Sequence, residues 1–206
     1  MNDVYEYRGA ADLVYAEVTV DTKDTFSTGT VKELAGLGKV SKKTASNTNT
    51  KHYDNVPAIS VVSTGADEIN FDVSAIPQDV LADITGQYYD ESTAMMVEME
   101  RTSKYFAVGY KTKNTKGEEI YVWRLKGTFN IPDQDNETET NDANSNGQTL
   151  VYTGISTTHR FTKLGNKPGK AVNVNISKDK ISSTAIAGFF DSVQTPDTIV
   201  PKTPTL

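Results

Sequence analysis

The chain has 206 residues, a formal net charge of -6 at pH 7 and no cysteine. The missing cysteines exclude thiol chemistry and Cys-ligated zinc, and the negative charge disfavours tight binding to nucleic acid. No apolar run approaches the roughly 18 residues of a membrane span, and the N-terminus has no signal-peptide pattern. We therefore expect a soluble protein made in the cytoplasm, with one domain over residues 1–193 and a flexible Pro/Thr-rich arm over residues 194–206.

The N-terminal part of the chain predicts β-structure. Residues 1–9 are polar and aromatic without a clear period, which predicts an arm or a short edge strand. Alternation then predicts a half-buried strand whose apolar side chains are Val14, Ala16, Val18 and Val20. Residues 30–43 predict a second strand, which Gly36 and Gly38 would bend or bulge.

Residues 41–57, SKKTASNTNTKHYDNVP, form the first long polar stretch. Serine, threonine and asparagine dominate it, so burial in a core of its own cannot offset the entropy of ordering it. Long loops inside compact domains are usually either functional or disordered. Folded back on itself, this loop would project about 25 Å from the domain at roughly 3.3 Å per residue. Both a projecting functional loop and a floppy one remain open at this point.

The middle of the chain predicts a β ribbon and one helix. Residues 58–73 alternate apolar and polar side chains, with a bulge or turn at residues 63–66. Residues 77–86, PQDVLADITG, have a proline at the start, an early aspartate and a glycine at the end, which together predict an α-helix. Met95, Val97 and Met99 alternate with other residues and predict the start of a further strand.

Residues 105–129 carry the strongest pattern in the chain. Phe106, Val108 and Tyr110 share one face of a strand, and a polar break follows at residues 114–117. A second strand then places another apolar set on one face, namely Tyr121, Trp123, Leu125, Gly127 and Phe129. This pattern predicts a hairpin at the centre of the core.

The C-terminal half predicts further strands at residues 148–155 and 171–176, and a compact apolar segment at residues 185–193. Between them, residues 133–142 carry five acidic residues and no basic one. Glu137 and Glu139 alternate with threonines, which suggests a hairpin with both carboxylates on a solvated face. Eight or nine strands and one helix over residues 77–86 predict a mainly β sandwich or barrel.

Reactive chemistry is sparse in the sequence. Neither histidine, His52 or His159, stands in an HxxxH pair, and no phosphate-binding glycine motif occurs. An EF-hand frame that starts at Asp133 fails, since Thr138 replaces the required glycine and Asn144 replaces the bidentate glutamate. We therefore expect no catalytic residue, no cofactor and no metal. A hydrolase that uses unrecognised carboxylates is a further hypothesis.

The order of the segments is similar to the major tail proteins of long-tailed phages, the phi13-type family. The similarity runs through GTVKELAGLGKVS (29–41), YDNVPAI (53–59), STGADEINFDV (63–73), the PQDVLADITG helix, the FAVGYKTKNTKGEEIYVWRLKGTFNIPDQD stretch and FFDSVQTPD (189–197). It covers nearly the whole chain in order, but no single piece of it is a catalytic signature.

This resemblance implies a tail-tube β-sandwich that forms hexameric rings, stacked into a tube in the virion tail. The partners that it implies are further copies of the chain, the tape-measure protein, and the tail-tip and terminator proteins. DNA would pass through the lumen without specific binding, and an acidic inner face with Glu137 and Glu139 would suit that passage. Contacts between rings are expected from the loop at residues 41–57, with candidates Lys42, Lys43, Lys51, Tyr53, Asp54 and Asn55.

Two other functions are alternatives to a tail-tube subunit. One is a β-sandwich module that binds carbohydrate or a cell surface, with Tyr53, Tyr88 and Tyr89 as stacking platforms for sugars. The other is a different tail protein, such as a terminator. Ring size and tube formation separate these possibilities.

Overall fold

A computed structural model describes residues 4–134 and 147–202 of the chain, and these residues form eleven strands and two α-helices. The strands are β1 (Tyr7–Asp21), β2 (Phe26–Thr28), β3 (Lys32–Ala35), β4 (Leu37–Tyr53), β5 (Val56–Val73), β6 (Tyr88–Asp90), β7 (Met95–Val97), β8 (Phe106–Asn114), β9 (Glu119–Phe129), β10 (Gln148–Gly154) and β11 (Ala171–Asn175). The helices are α1 (Gln78–Thr85) and α2 (Ser183–Ala187), and short 3-10 turns occur at Thr162–Leu164 and Ile176–Lys178.

Nine strands form one antiparallel sheet in the order β2-β1-β8-β9-β10-β5-β4, with β11 also on β9 and β3 also on β1. The sheet divides along β9. The first half of β9 pairs with β11, from Arg124 to Ile120, and its last three residues pair with β10. The expected mainly β, sandwich-like fold is thereby confirmed, and in the described residues the strands do not close into a barrel.

Two hydrophobic cores lie on opposite faces of the central strands. The first core contains Leu13, Tyr15, Leu34, Ile69, Phe71, Val73, Ile76, Ile84, Phe106, Val108, Tyr110, Val122, Phe129, Leu150 and Tyr152. The second core contains Val14, Ala16, Ala107, Tyr121, Trp123, Leu125, Phe161, Val172, Val174, Ile181, Phe189 and Val193. The middle of β1 (residues 13–16), the first half of β8 and most of β9 are therefore buried on both faces, which makes them the rigid centre of the molecule.

The predicted hairpin at residues 105–129 is confirmed as β8 and β9, but one face assignment is wrong. Phe129 packs in the first core, whereas Trp123 packs in the second. Phe106 pairs with Gly127 and Val108 pairs with Arg124, so β9 holds one extra residue between these pairs. Such a bulge reverses the side-chain parity of the strand beyond it.

The predicted helix is confirmed as α1, with Pro77 directly before it and Gly86 after it. Gly86 has a φ of 70°, and a Cβ at this position would collide with the backbone oxygen of Thr102. Only glycine therefore fits this end of the helix. The structure adds a second helix, α2, whose N-terminus is capped by the Ser182 hydroxyl accepting from the Ala185 N–H.

Other predicted strands are largely confirmed, as β1, β7, β10 and β11. Residues 30–43 do not form one strand, because the chain is interrupted at Gly36 between β3 and β4. Residues 63–66 are not a turn either, since they lie inside β5. The irregularity expected there is a register shift, at which Thr44 pairs with Asp67 and Ser46 pairs with Thr64.

The C-terminal segment is described as far as Lys202, and its described part is attached to the domain. Asp197 accepts hydrogen bonds from the N–H groups of Thr162 and Lys163, at 2.9 and 2.8 Å. Lys202 forms an ion pair with Asp179 at 2.6 Å. These contacts give the segment over residues 194–202 fixed attachment points, and the expected mobility of the arm stays a prediction.

Asp21 joins the end of β1 to the loop after β10. Its carboxylate, in a side chain only 5% exposed, accepts hydrogen bonds from the N–H groups of Thr158 and His159 and from Lys126 Nζ at 2.6 Å. Burial opposes ionisation of Asp21, but these hydrogen bonds outweigh it and hold its pKa below the usual 3.8. The ionised form is therefore stabilised by folding.

We expect Asp21 to make the stability of the protein dependent on acid. Because its pKa is lowered in the folded state, its contribution is complete above about pH 5 and is lost as the pH falls through the folded-state pKa. Asp21→Asn should reduce the free energy of unfolding by roughly 1–3 kcal/mol at pH 7 and flatten its fall between about pH 5 and 2.5. Urea unfolding across that range measures both effects. Asp24→Asn, at an exposed aspartate nearby, is the control, and equal pH slopes for both variants would contradict the assignment.

Candidate assembly surface

Strands β4 and β5 form one long antiparallel hairpin, paired from Leu37 and Val73 to Tyr53 and Val56. Its turn consists of Asp54 and Asn55, with φ values of 51° and 64°. Two consecutive positive φ angles are what a two-residue type I′ turn requires, and aspartate and asparagine tolerate them well. The loop expected at residues 41–57 is thus an ordered strand-turn segment.

This hairpin projects from the domain. Pairing between β5 and β10 ends at Asp67, and every residue from position 41 to position 65 is exposed. Within the described residues, neither outer edge of the hairpin is paired beyond that point. The projecting part extends for roughly 30 Å at about 3.3 Å per residue, close to the length expected from the sequence.

The projecting part of the hairpin carries large apolar side chains in solvent. They are Tyr53, Val56, Ile59, Val61 and Val62, each between 48% and 63% exposed. A two-stranded hairpin is marginally stable on its own in water, and grouped exposed apolar residues commonly mark an interaction surface. Unpaired strand edges likewise invite pairing with another chain. The hairpin therefore has the chemistry of a surface that a partner covers.

The six candidate residues for contacts between rings all lie on this hairpin, but they do not form one patch. Lys42 stands at the base, Lys43 and Lys51 lie further along β4, and Tyr53, Asp54 and Asn55 form the tip. Glu137 and Glu139, the predicted lumen-facing residues, lie outside the described residues. Their position therefore stays a prediction.

A buried carboxylate fixes the base of the hairpin. Asp67 is 3% exposed, and it accepts a hydrogen bond from the Thr44 hydroxyl at 2.9 Å. Three cations surround it, at 3.3 Å from Arg124, 3.6 Å from Lys42 and 3.6 Å from Lys170. The contacts join β5 to β4, to β9 and to the residue before β11, which sets the direction in which the hairpin leaves the domain.

A second polar cluster holds α1 against the sheet. Asp83 accepts a hydrogen bond from the Tyr15 hydroxyl at 3.0 Å and pairs with Lys32 and Lys104 at 2.8 and 3.3 Å. Burial, with Asp83 beside it, raises the pKa of Tyr15 well above its usual value. Burial also opposes ionisation of Asp83, yet hydrogen bonds from Lys32 and Tyr15 keep its pKa below 3.8. The cluster is fully paired and serves as an attachment point for the helix.

The tyrosines proposed as sugar platforms are divided between two places. Tyr88 and Tyr89 line a cleft of about 750 Å³ beside α1, together with Asp79 and Glu91. Tyr53 is not part of that lining, because it stands at the tip of the projecting hairpin. The three rings therefore do not form a single platform.

The remaining candidates do not come together as a site. His52 is exposed on β4, and the His159 ring packs against Phe161 at 4.8 Å between centroids. In residues 4–134 and 147–202, no three histidine, aspartate or glutamate side chains are grouped to hold a metal ion. The EF-hand frame falls mostly on residues outside this description. Neither α1 nor α2, the helices of the described chain, has the length and apolar character needed to cross a bilayer.

The fold and this surface define a class: a mainly β, sandwich-like protein with an ordered edge hairpin that leaves the domain. No protein-family model matches the chain, and comparison with curated proteins also gives no match. The function must therefore be argued from the surface of the molecule and from the order of its sequence segments.

Proposed function

We propose that this protein is the structural subunit of a phage tail tube, which works by self-assembly and not by catalysis. The observation that carries the proposal is the projecting hairpin, in which residues 41–65 are all exposed, apolar side chains face solvent, and strand edges beyond Asp67 are unpaired. A protein that keeps such a surface uncovered risks aggregation. Regular assembly covers the same surface in a defined way.

The two kinds of contact in a tube suit this arrangement. A ring closes by rotation, while stacked rings repeat a head-to-tail contact without closing. In the proposal, the doubly buried parts of strands β1, β8 and β9 hold each subunit rigid, and the hairpin reaches the next ring. The Asp67 cluster supports this role, because it fixes the hairpin's direction through contacts to three separate strands or strand ends.

The rest of the proposal follows from the segment-order resemblance. The subunits form stacked hexameric rings in the virion tail, after synthesis in the host cytoplasm. They contact the tape-measure, tail-tip and terminator proteins, and DNA passes through the lumen without specific binding. The two alternatives named above predict different assemblies. A carbohydrate-binding module would be a monomer, and a terminator would form rings that do not stack into tubes.

The proposal predicts visible assemblies of the purified chain. We expect size-exclusion chromatography and negative-stain electron microscopy to show rings at low concentration and tubes of increasing length at high concentration. Single rings that never stack would favour the terminator. A protein that remains a monomer at every concentration tested would contradict the proposal, and binding of that monomer on a glycan array would favour the carbohydrate module.

A further inference from the structure

A basic cleft lies between the start of β1 and the start of β4. It has a volume of about 680 Å³, and its charged lining residues are Arg8, Lys39, Lys42 and Arg124. No aspartate or glutamate is among its lining residues, all of which are described. In a protein of net charge -6, such a concentration of positive charge points to an anionic ligand.

Arg124 shows that the charge of this cleft is not balanced. It is 7% exposed, its Nη1 lies 3.3 Å from Asp67, and its Nε has no hydrogen-bond partner among the described residues. Asp67 is shared with Lys42 and Lys170, so one carboxylate faces three cations. Buried polar groups are nearly always hydrogen-bonded, and an unpartnered guanidinium nitrogen that is not explained by the fold indicates a missing acceptor.

The walls of the cleft also offer free backbone groups. Residues 7–11 of β1 pair only with β8, and β4 pairs only with β5 in the described part of the chain. Gly9 and Ala10 line one wall, while Gly38 and Val40 line the other. An extended peptide can hydrogen-bond to such edges as an added strand, and its side chains then give specificity.

The sequence contains a segment of complementary charge. Four of the five acidic residues in residues 133–142 occupy alternate positions, and the segment has no basic residue. These four are Asp133, Asp135, Glu137 and Glu139. In an extended conformation they would share one face, with neighbouring carboxylates about 7 Å apart. The pattern supplies four carboxylates for the four cations of the cleft.

We propose that the basic cleft of one subunit binds the acidic segment, residues 133–142, of a second copy of this chain. This inference rests on the proposed self-assembly and assigns it a contact distinct from the hairpin. The same carboxylates cannot both line a lumen and occupy the cleft. The lumen-facing prediction for Glu137 and Glu139 is therefore the alternative that the experiment must separate.

Peptide binding to the full-length chain tests the contact directly. The receptor is a variant whose own segment is neutral, with Asp133→Asn, Asp135→Asn, Glu137→Gln and Glu139→Gln. The probe is a fluorescent peptide of residues 131–142, IPDQDNETETND. Fluorescence anisotropy should show binding that weakens with salt, and the matched amide peptide should not bind. Adding Arg8→Glu and Lys39→Glu to the receptor should weaken binding about tenfold or more.

Lys43→Glu is the matched control, since Lys43 is an exposed lysine of β4 that does not line the cleft. Absence of peptide binding, or an equal loss with Lys43→Glu, would overturn the inference. A short DNA duplex that binds the cleft in place of the peptide would overturn it as well. If the unmodified protein forms tubes but the peptide does not bind, the inference about the cleft is wrong and the proposed function stands. If the peptide binds but the protein forms no rings, the proposed function is wrong and the cleft contact stands.

A mixing experiment determines whether the segment binds another copy. One variant keeps the cleft but has the neutral segment, and the other keeps the acidic segment but carries Arg8→Glu and Lys39→Glu. Sedimentation velocity should show, in the mixture, a larger species than either variant forms alone. If the peptide binds but the mixture forms no species larger than either variant forms alone, the segment occupies the cleft of its own chain, and the second-copy assignment is wrong.

Discussion

A variant in which an Asn-Gly turn replaces residues 46–64 should fold normally but form no tubes. The replaced residues pair with one another, from Ser46 with Thr64 to Tyr53 with Val56, and contribute to neither hydrophobic core. The Thr44–Asp67 contact at the base is kept, so the remaining strands retain their anchor. Because the exposed apolar residues leave with the hairpin, contacts between rings should be lost almost completely.

Circular dichroism and urea unfolding would establish that the shortened variant is folded, and electron microscopy would measure tube length. Both arms must be removed together, since deletion of residues 44–51 alone would leave the facing arm of β5 unpaired. A full-length variant with Ile59→Ser, Val61→Ser and Val62→Ser keeps the length of the hairpin but removes exposed apolar side chains. It therefore separates the effect of apolar contacts on tube formation from the effect of hairpin length. Its control is Thr48→Ser with Thr50→Ser on the facing strand. Normal tubes from the shortened variant would show that the hairpin does not connect rings.

The parts of the fold that could be predicted from sequence are those with strong local signals. Alternating aromatic and β-branched residues predict β8 and β9, because the period of two is a direct property of a strand. Pro77 and Gly86 predict the bounds of α1, because each residue suits one end of a helix and not the other. The face of Phe129 could not be predicted, since one bulge residue reverses the alternation without any compositional signal.

The hairpin of β4 and β5 shows why composition alone misjudges an exposed ribbon. Alternation marks a strand only when one face is buried and the other is not, and residues 41–53 are exposed on both faces. What orders this segment is the backbone ladder with β5 and a two-residue turn at Asp54 and Asn55. Neither leaves an apolar pattern, so a polar strand and a polar loop have the same sequence signature.

The cation cluster around Asp67 could not be predicted for a different reason. Its members stand at positions 42, 67, 124 and 170, so they meet only through the pairing of distant strands. In the sequence each is a charged residue of the kind that usually faces solvent, with none of the other three near it along the chain. Only the registers between β5, β10 and β9 place Arg124 beside Asp67. The basic cleft also contains residues from distant strands and likewise could not be predicted from the sequence.

Asp67→Asn should be the most destabilising conservative substitution at the base of the hairpin. The amide keeps the shape of the side chain but removes the charge opposite Arg124, whose side chain is 8% exposed and whose Nε is already unpartnered. Breaking a buried ion pair from one side leaves an uncompensated charge and typically costs about 3–5 kcal/mol. Lys42 and Lys170 are more exposed, at 40% and 27% of their side chains, and should contribute little to this loss.

Urea unfolding at pH 7 measures this effect, with Glu68→Gln at the exposed neighbouring position as the matched control. The double variant Asp67→Asn with Arg124→Gln removes both charges, so it should recover a substantial part of the lost free energy of unfolding. Recovery would show that the cost arises from the isolated guanidinium and not from altered packing. If Asp67→Asn were as mild as Glu68→Gln, within about 0.5 kcal/mol, the cluster would not be the anchor that directs the hairpin.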